Sequence, residues 1–146
     1  MKIGKEQIES FIPHRAPFVM IDNLIEAAPD RFETDFRILP DNIFLEEGTL
    51  REFALIENIS QSCAAGLAVI KSHDKEKPVS GFIGAVSKLK VYDLPKVHDT
   101  IHTIVTPIAQ LGDMYLLKAV NLVKGKKLLE CEIKLVGSNV GQKGME

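Results

Sequence analysis

The sequence predicts an α+β fold in which an antiparallel sheet of about six strands curls around one long helix. Three observations predict it. A single apolar-rich stretch, Leu50 to Ser72, opens on a helix-start signal. Segments on both sides of it alternate apolar and polar residues with the two-residue period of a half-buried strand. The later strand-like segments are joined by stretches too short to hold helices, which excludes a doubly wound parallel sheet.

In chain order, a short helix is expected over Lys5 to Phe11, halted by Pro13, so that residues 1–12 form an N-terminal helical segment. Phe18 to Glu26 and Arg31 to Ile38 follow as strands about the turn cluster AAPD. In the second, Phe32, Thr34, Phe36 and Ile38 alternate with Glu33, Asp35 and Arg37. Thr49 and Glu52 have the spacing of a capping box and lead into the long helix. After the loop HDKEKP come four strands: Gly81 to Val91, Thr100 to Ala109, Met114 to Val123 and Lys127 to Val136. In the last, Leu129, Cys131, Ile133 and Leu135 alternate with Glu130, Glu132 and Lys134, the pattern of a sheet with one wet face. The polar, Gly-containing tail, residues 138–146, is expected to fray.

Size and composition narrow the function. The 146 residues suit one domain spanning 1–146. With 18 Lys plus Arg against 20 Asp plus Glu, the net charge is −2, and no basic cluster suits a phosphate backbone. Nucleic acid is not an expected partner. The opening MKIGKEQIES lacks the apolar centre of a secretory signal, and the uncharged run Asn58 to Ile70 is shorter than a membrane span. Cys63 and Cys131 lie in apolar segments without metal-ligand or disulfide spacing, and the four His have no zinc-site spacing. A cytoplasmic protein without metal or membrane association is expected.

Within FALIENISQSCAAGLAVI, Phe53 to Ile70, Glu57 is the single charged residue. A carboxylate on a buried helix costs several kcal/mol unless it is paired or protonated. Burial would favour the neutral acid and suit it to proton transfer near neutrality. The alternative, that Glu57 faces water in a dimer groove or pairs with a core Arg, stays open at this point. Gln61 follows at i+4 on the same face. Beyond Glu57, the residues Ser60, Ala64, Ala65 and Gly66 are small enough for close packing on a sheet.

Three segments carry a resemblance to a known family. Ile12 to Asp22, IPHRAPFVMID, is similar to the H-R-x-P-F-x-x-x-D opening of the bacterial 3-hydroxyacyl-acyl-carrier-protein dehydratases. Leu55 to Gln61, LIENISQ, resembles that family's helix motif, and FIGAVSKLKVYDLPKVHD, Phe82 to Asp99, resembles more loosely its G-x-x-x-x-x-F-x-x-x-V-x-P-G-D stretch. The position of the family's catalytic His falls on Ile43, and that of its helix-opening Gly on Glu52. The stretch DNIFLEEGTLREFALIENISQ resembles instead the divergent ApeP-like branch associated with aryl-polyene and flexirubin-type pigments, which lacks that His.

The resemblance implies a hotdog fold and dehydration of a 3-hydroxyacyl chain held as a thioester on acyl carrier protein, through its phosphopantetheine arm, to the trans-2-enoyl thioester. It implies Glu57 as acid and His14 as base in place of the missing His. Gln61 would orient Glu57, and Arg15, Pro17 and Phe18 would support the site. Backbone N–H groups of Glu52 and Phe53 would bind the thioester oxygen, and Phe44, Ile56 and Gly84 would line the acyl pocket. No cofactor is implied. Pairing is expected, with a second copy or with a sister hotdog subunit that supplies the absent group. Two other functions are compatible with the fold: a non-catalytic or half-site partner subunit, and an acyl thioesterase.

Overall fold

The computed structural model describes residues 2–72 and 80–138. Asn23–Ala28 (β1) and Arg31–Arg37 (β2) form a hairpin, Leu45–Glu46 (β3) and Thr49–Leu50 (β4) a second, very short one, and Glu52–Ser72 (α1) the long helix. Ser80–Val91 (β5), Thr100–Leu111 (β6), Met114–Val123 (β7) and Lys126–Ser138 (β8) follow. The large sheet is antiparallel in each pairing, with strand order β1-β2-β6-β7-β8-β5. This is the predicted α+β architecture, a six-stranded sheet around one helix.

Alternation decides which face of each strand meets the helix. Phe32 and Phe36 on β2, Ile101 and Val105 on β6, Leu117 and Ala119 on β7, and Leu129, Cys131 and Ile133 on β8 are buried in one core. Leu55, Ile59, Cys63 and Leu67 of α1 join them, a row four residues apart and so on one helix face. A second face of α1, through Ala65 and Val69, packs on Ile3, Ile8, Ile12, Ile21 and Leu24. The helix is thus enclosed by the sheet on one side and the N-terminal segment on another. Long and apolar enough to cross a bilayer by composition alone, it is a core helix in this fold.

Close packing explains the small residues. A Cβ on Gly66 would lie 2.3 Å from Cγ of Phe32, so the helix approaches β2 at a distance only glycine permits.

Four expectations need correction. The N-terminal helix reduces to one 3-10 turn, Ile8–Ser10, because Ile3 bridges Leu24 at the sheet edge and draws the segment into extended contact. The first strand starts at Asn23, not Phe18, because side chains of α1 hold the backbone of residues 18–20. Thr49 pairs with Glu46 in the β3–β4 hairpin and the helix begins at Glu52, so the capping-box spacing marks the region without forming the motif. Glu57 is not fully sheltered: 27% of its side chain is accessible in the single chain. His73 and residues 139–146 lie outside the described residues.

Candidate active site

The loop from Ile12 to Met20 crosses the first half of α1, and this crossing brings the two predicted reactive side chains together. Nε2 of His14 stands 4.0 Å from Oε1 of Glu57, and each side chain is 27% accessible. That separation exceeds a hydrogen bond, and a reacting group lying alongside the pair would be within reach of both side chains. Nδ1 of His14 is buried without a hydrogen-bond partner among the described residues, so the ring is held by packing and by its backbone.

The loop is held by its own Arg15 and by the helix. Arg15 donates from Nη1 to the carbonyl oxygens of Ile12 (2.9 Å) and His14 (2.7 Å), and its Nε meets Glu9 at 3.1 Å. Its guanidinium therefore shapes the loop. Gln61, wholly buried, accepts from Met20 N–H at 2.6 Å and donates to the Phe18 carbonyl at 2.9 Å. The expected bond from Gln61 to Glu57 is absent from this arrangement, because the side-chain amide is engaged by the loop instead.

The remaining predicted residues divide by location. Phe18 and Phe53 are exposed, and Phe53 makes an edge contact with Phe44, ring centroids 5.5 Å apart. Ile43, at the position of the family His, is 48% exposed in the turn before Phe44. Ile56 packs against the main core one residue before Glu57. Pro17 lines a different cavity, of about 320 Å³, between the N-terminal segment and residues 36–42. Gly84 sits on the outermost strand, β5, where a Cβ would come 3.3 Å from Val136. In a single chain it is not gathered with His14 and Glu57 among the contacts described.

At the helix start, the Arg51 carbonyl accepts from the N–H groups of Ala54 and Leu55. The first N–H groups of a helix have no intrahelical acceptor, and those of Glu52 and Phe53 have none among the described residues. Together with the helix dipole they offer a site for partial negative charge.

Sequence reasoning missed one feature. Asn58, Ser62, Thr34, Thr103 and Asn121 are fully buried polar residues between helix and sheet. The signal was present in part, since Asn58 and Ser62 interrupt an apolar run and Thr34 and Thr103 fall on inward strand positions. No group of His, Cys, Asp and Glu among the described residues is arranged to hold a metal. His102 lies on β6 with Nδ1 3.6 Å from Glu33, and His98 in the loop before that strand.

The family model for ApeP-like proteins, described as ApeP dehydratase, matches residues 6–98, which include the loop, the helix and both reactive side chains. This chain belongs to the ApeP-like dehydratase family. Among curated proteins it is similar to the 3-hydroxyacyl-[acyl-carrier-protein] dehydratase FabZ of Clostridium novyi (strain NT). The two are 26% identical over 136 residues, covering 91% of this chain and 96% of that protein. The same enzyme of Enterococcus faecalis (strain ATCC 700802 / V583) is 25% identical over 139 residues, covering 91% and 96%. Among solved structures, the dehydratase heterocomplex ApeI:P from Xenorhabdus doucetiae superposes with a TM-score of 0.86 at 14% identity, covering 94% of this chain and 95% of that one. At that identity the likeness establishes the fold, which for this ApeP-like dehydratase is the hotdog.

Proposed function

We propose that this ApeP-like dehydratase removes water from 3-hydroxyacyl thioesters carried on acyl carrier protein, giving trans-2-enoyl thioesters, with His14 and Glu57 as its proton-transfer pair. The observation that carries the reading is the 4.0 Å approach of His14 to Glu57, two groups contributed by separate family motifs. His14 takes a proton from C2 of the acyl chain. Glu57 gives one to the departing 3-hydroxyl, which leaves as water. Negative charge grows on the thioester oxygen as the C2 proton leaves, and the Glu52 and Phe53 amides at the start of α1 are suited to receive it.

The exposure of both side chains supports a second subunit as part of the working enzyme. In one chain they remain open to water, whereas proton transfer benefits from its exclusion. The outer side of β5 has no strand partner among the described residues, and Leu89, Val91 and Tyr92 at its end are exposed. An edge of this kind invites pairing with another sheet. The partner is a second copy or a sister hotdog subunit. The sister is favoured as a half-site arrangement by Ile43 at the family His position, and a related fold occurs in the dehydratase heterocomplex ApeI:P. Two buried free thiols fit action in the cytoplasm.

The test is to offer a 3-hydroxyacyl thioester on acyl carrier protein to the purified chain, alone and with its sister subunit, and to follow enoyl absorbance and free thiol together. Enoyl product without thiol release is the expected result. Thiol release without enoyl product would make the chain a thioesterase, and neither signal in either arm would leave it a non-catalytic subunit.

A further inference from the structure

A continuous buried polar row runs across the sheet and ends on the backbone of the His14 loop. Thr34, Thr103 and Asn121 are lateral partners on β2, β6 and β7, at one level of the inner face. All three are fully buried in a face otherwise lined by apolar side chains. Such groups are tolerated only where each finds a hydrogen-bond partner, and here α1 supplies it. Ser62 shares a hydrogen bond with Thr34 at 2.7 Å and donates to the Asn58 carbonyl at 2.8 Å. Asn58 Oδ1 accepts from Thr103 Oγ1 at 2.5 Å and from Asn121 Nδ2 at 3.1 Å, while Asn121 Nδ2 also reaches Thr103 Oγ1 at 2.9 Å.

Two donors converging on Oδ1 fix which way the Asn58 carboxamide faces, because a flipped amide would set its NH2 against the NH2 of Asn121. Its Nδ2 is thereby aimed at the loop, where it donates to the Met20 carbonyl at 2.7 Å. The Phe18 carbonyl and both polar backbone groups of Met20 are therefore bound by side chains of α1, Gln61 and Asn58, and not by a strand. Gln61 ties the loop to the helix. Asn58 ties it to the helix and, through Thr103 and Asn121, to the sheet. His14 lies in this loop, and Glu57 immediately precedes Asn58.

Folding alone does not call for such a row, since matched apolar replacements of a buried hydrogen-bonded set are commonly near neutral. A row in which Thr34, Ser62, Asn58 and Thr103 are all engaged, with Asn121 Oδ1 alone left without a partner among the described residues, does fix relative position, which apolar packing leaves looser. We propose that Asn58, oriented by Thr103 and Asn121, is a positioning residue that sets the separation of His14 and Glu57. It hydrogen-bonds to neither and acts through Met20. The inference rests on the dehydratase reading of the same pair and adds to it the element that holds the geometry.

The test compares Thr103→Val, which keeps shape and removes the hydroxyl, with Thr103→Ser, which keeps the hydroxyl, and with Asn58→Ala. Each is made in the full chain, with its sister subunit where turnover needs one. A first measurement is independent of turnover: the displacement of the His14 ring-nitrogen resonances produced by Glu57→Gln at fixed pH. It is expected to shrink to about half or less in the Thr103→Val background and to return with Thr103→Ser. The second is kinetic: kcat falls about 10-fold in Thr103→Val and Asn58→Ala, KM stays within about twofold, and Thr103→Ser restores kcat.

An unchanged displacement in folded Thr103→Val overturns the proposal whatever the rates do. Altered resonances with unaltered kcat overturn it as well. If Asn58→Ala does not fold, Thr103→Val decides alone. If the unsubstituted protein forms no enoyl product, the dehydratase reading fails separately, and the resonance measurement still decides whether Asn58 sets the pair.

Discussion

His14 and Glu57 approach to 4.0 Å because the loop carrying one crosses the helix carrying the other, at a point where both side chains keep the same 27% accessibility. Neither is buried deeply enough to be an ordinary core residue, and neither extends freely into solvent. A pair of proton-carrying groups at this spacing can both reach substrate atoms that lie alongside it.

If the two act as base and acid, Glu57→Gln and His14→Ala each lower kcat by at least about 10²-fold, with the fold intact by circular dichroism. Steady-state turnover of a 3-hydroxyacyl thioester checks this. Full activity in His14→Ala would remove the imidazole from the chemistry and leave Glu57 to be paired with a group from the second subunit.

The contact of Gly66 with Phe32 predicts a stability effect distant from the reactive pair. Gly66→Ala places a methyl group 2.3 Å from the ring, and overpacking of this kind costs about 1–3 kcal/mol. Urea denaturation should show the loss, and adding Phe32→Leu should recover part of it. Additive losses in the double variant would show that the ring is not the obstacle.

Asp22 predicts a pH dependence of stability. Desolvation by burial raises its carboxyl above the ordinary value of 3.8, against the lowering influence of the Arg37 N–H and Lys5. The folded chain therefore holds a proton at pH values where the unfolded chain has released it. The associated stability is present below 3.8 and is lost as pH rises through the raised folded value. Asp22→Asn, which retains an acceptor for Arg37, removes this dependence. Its melting temperature relative to the parent should climb between about pH 3 and about pH 7, and a flat difference would contradict the assignment.

The thiols should be inert in the native protein. Burial, with a smaller contribution from nearby Cys131, pushes the Cys63 thiol up to about 12, and burial pushes Cys131 up to about 11. Because the thiolate is the reactive form, a thiol reagent near neutral pH should modify either residue only as fast as the chain opens. Rapid labelling under native conditions would show a path to the core that the fold does not provide.

Much of the architecture was legible in the residues because it rests on local periodicity. Alternation located β2, β6, β7 and β8 to within a few residues, and Met114–Val123 coincides with its predicted range. Glu57 stood out as the lone charge of an apolar helix, and the segment carrying His14 as a motif. The capping-box spacing misled at Thr49, since cross-strand pairing with Glu46 competes for the same residues and prevails.

Other features depend on contacts between residues far apart in the chain. Gln61 has the spacing to serve Glu57, yet its amide binds the backbone of Phe18 and Met20, because an unpaired buried loop would cost more than an unsupported, partly solvated carboxylate. Asn58 reads as an interruption of a hydrophobic run until Thr103 and Asn121 are seen beneath it. The order of apolar and polar residues determined by itself which segments are helix and strand and which faces turn inward, since those preferences act over a few neighbouring residues. Only the tertiary structure decided that His14 meets Glu57 and what holds the loop there, because buried backbone groups take whichever donors and acceptors the packed elements bring to them.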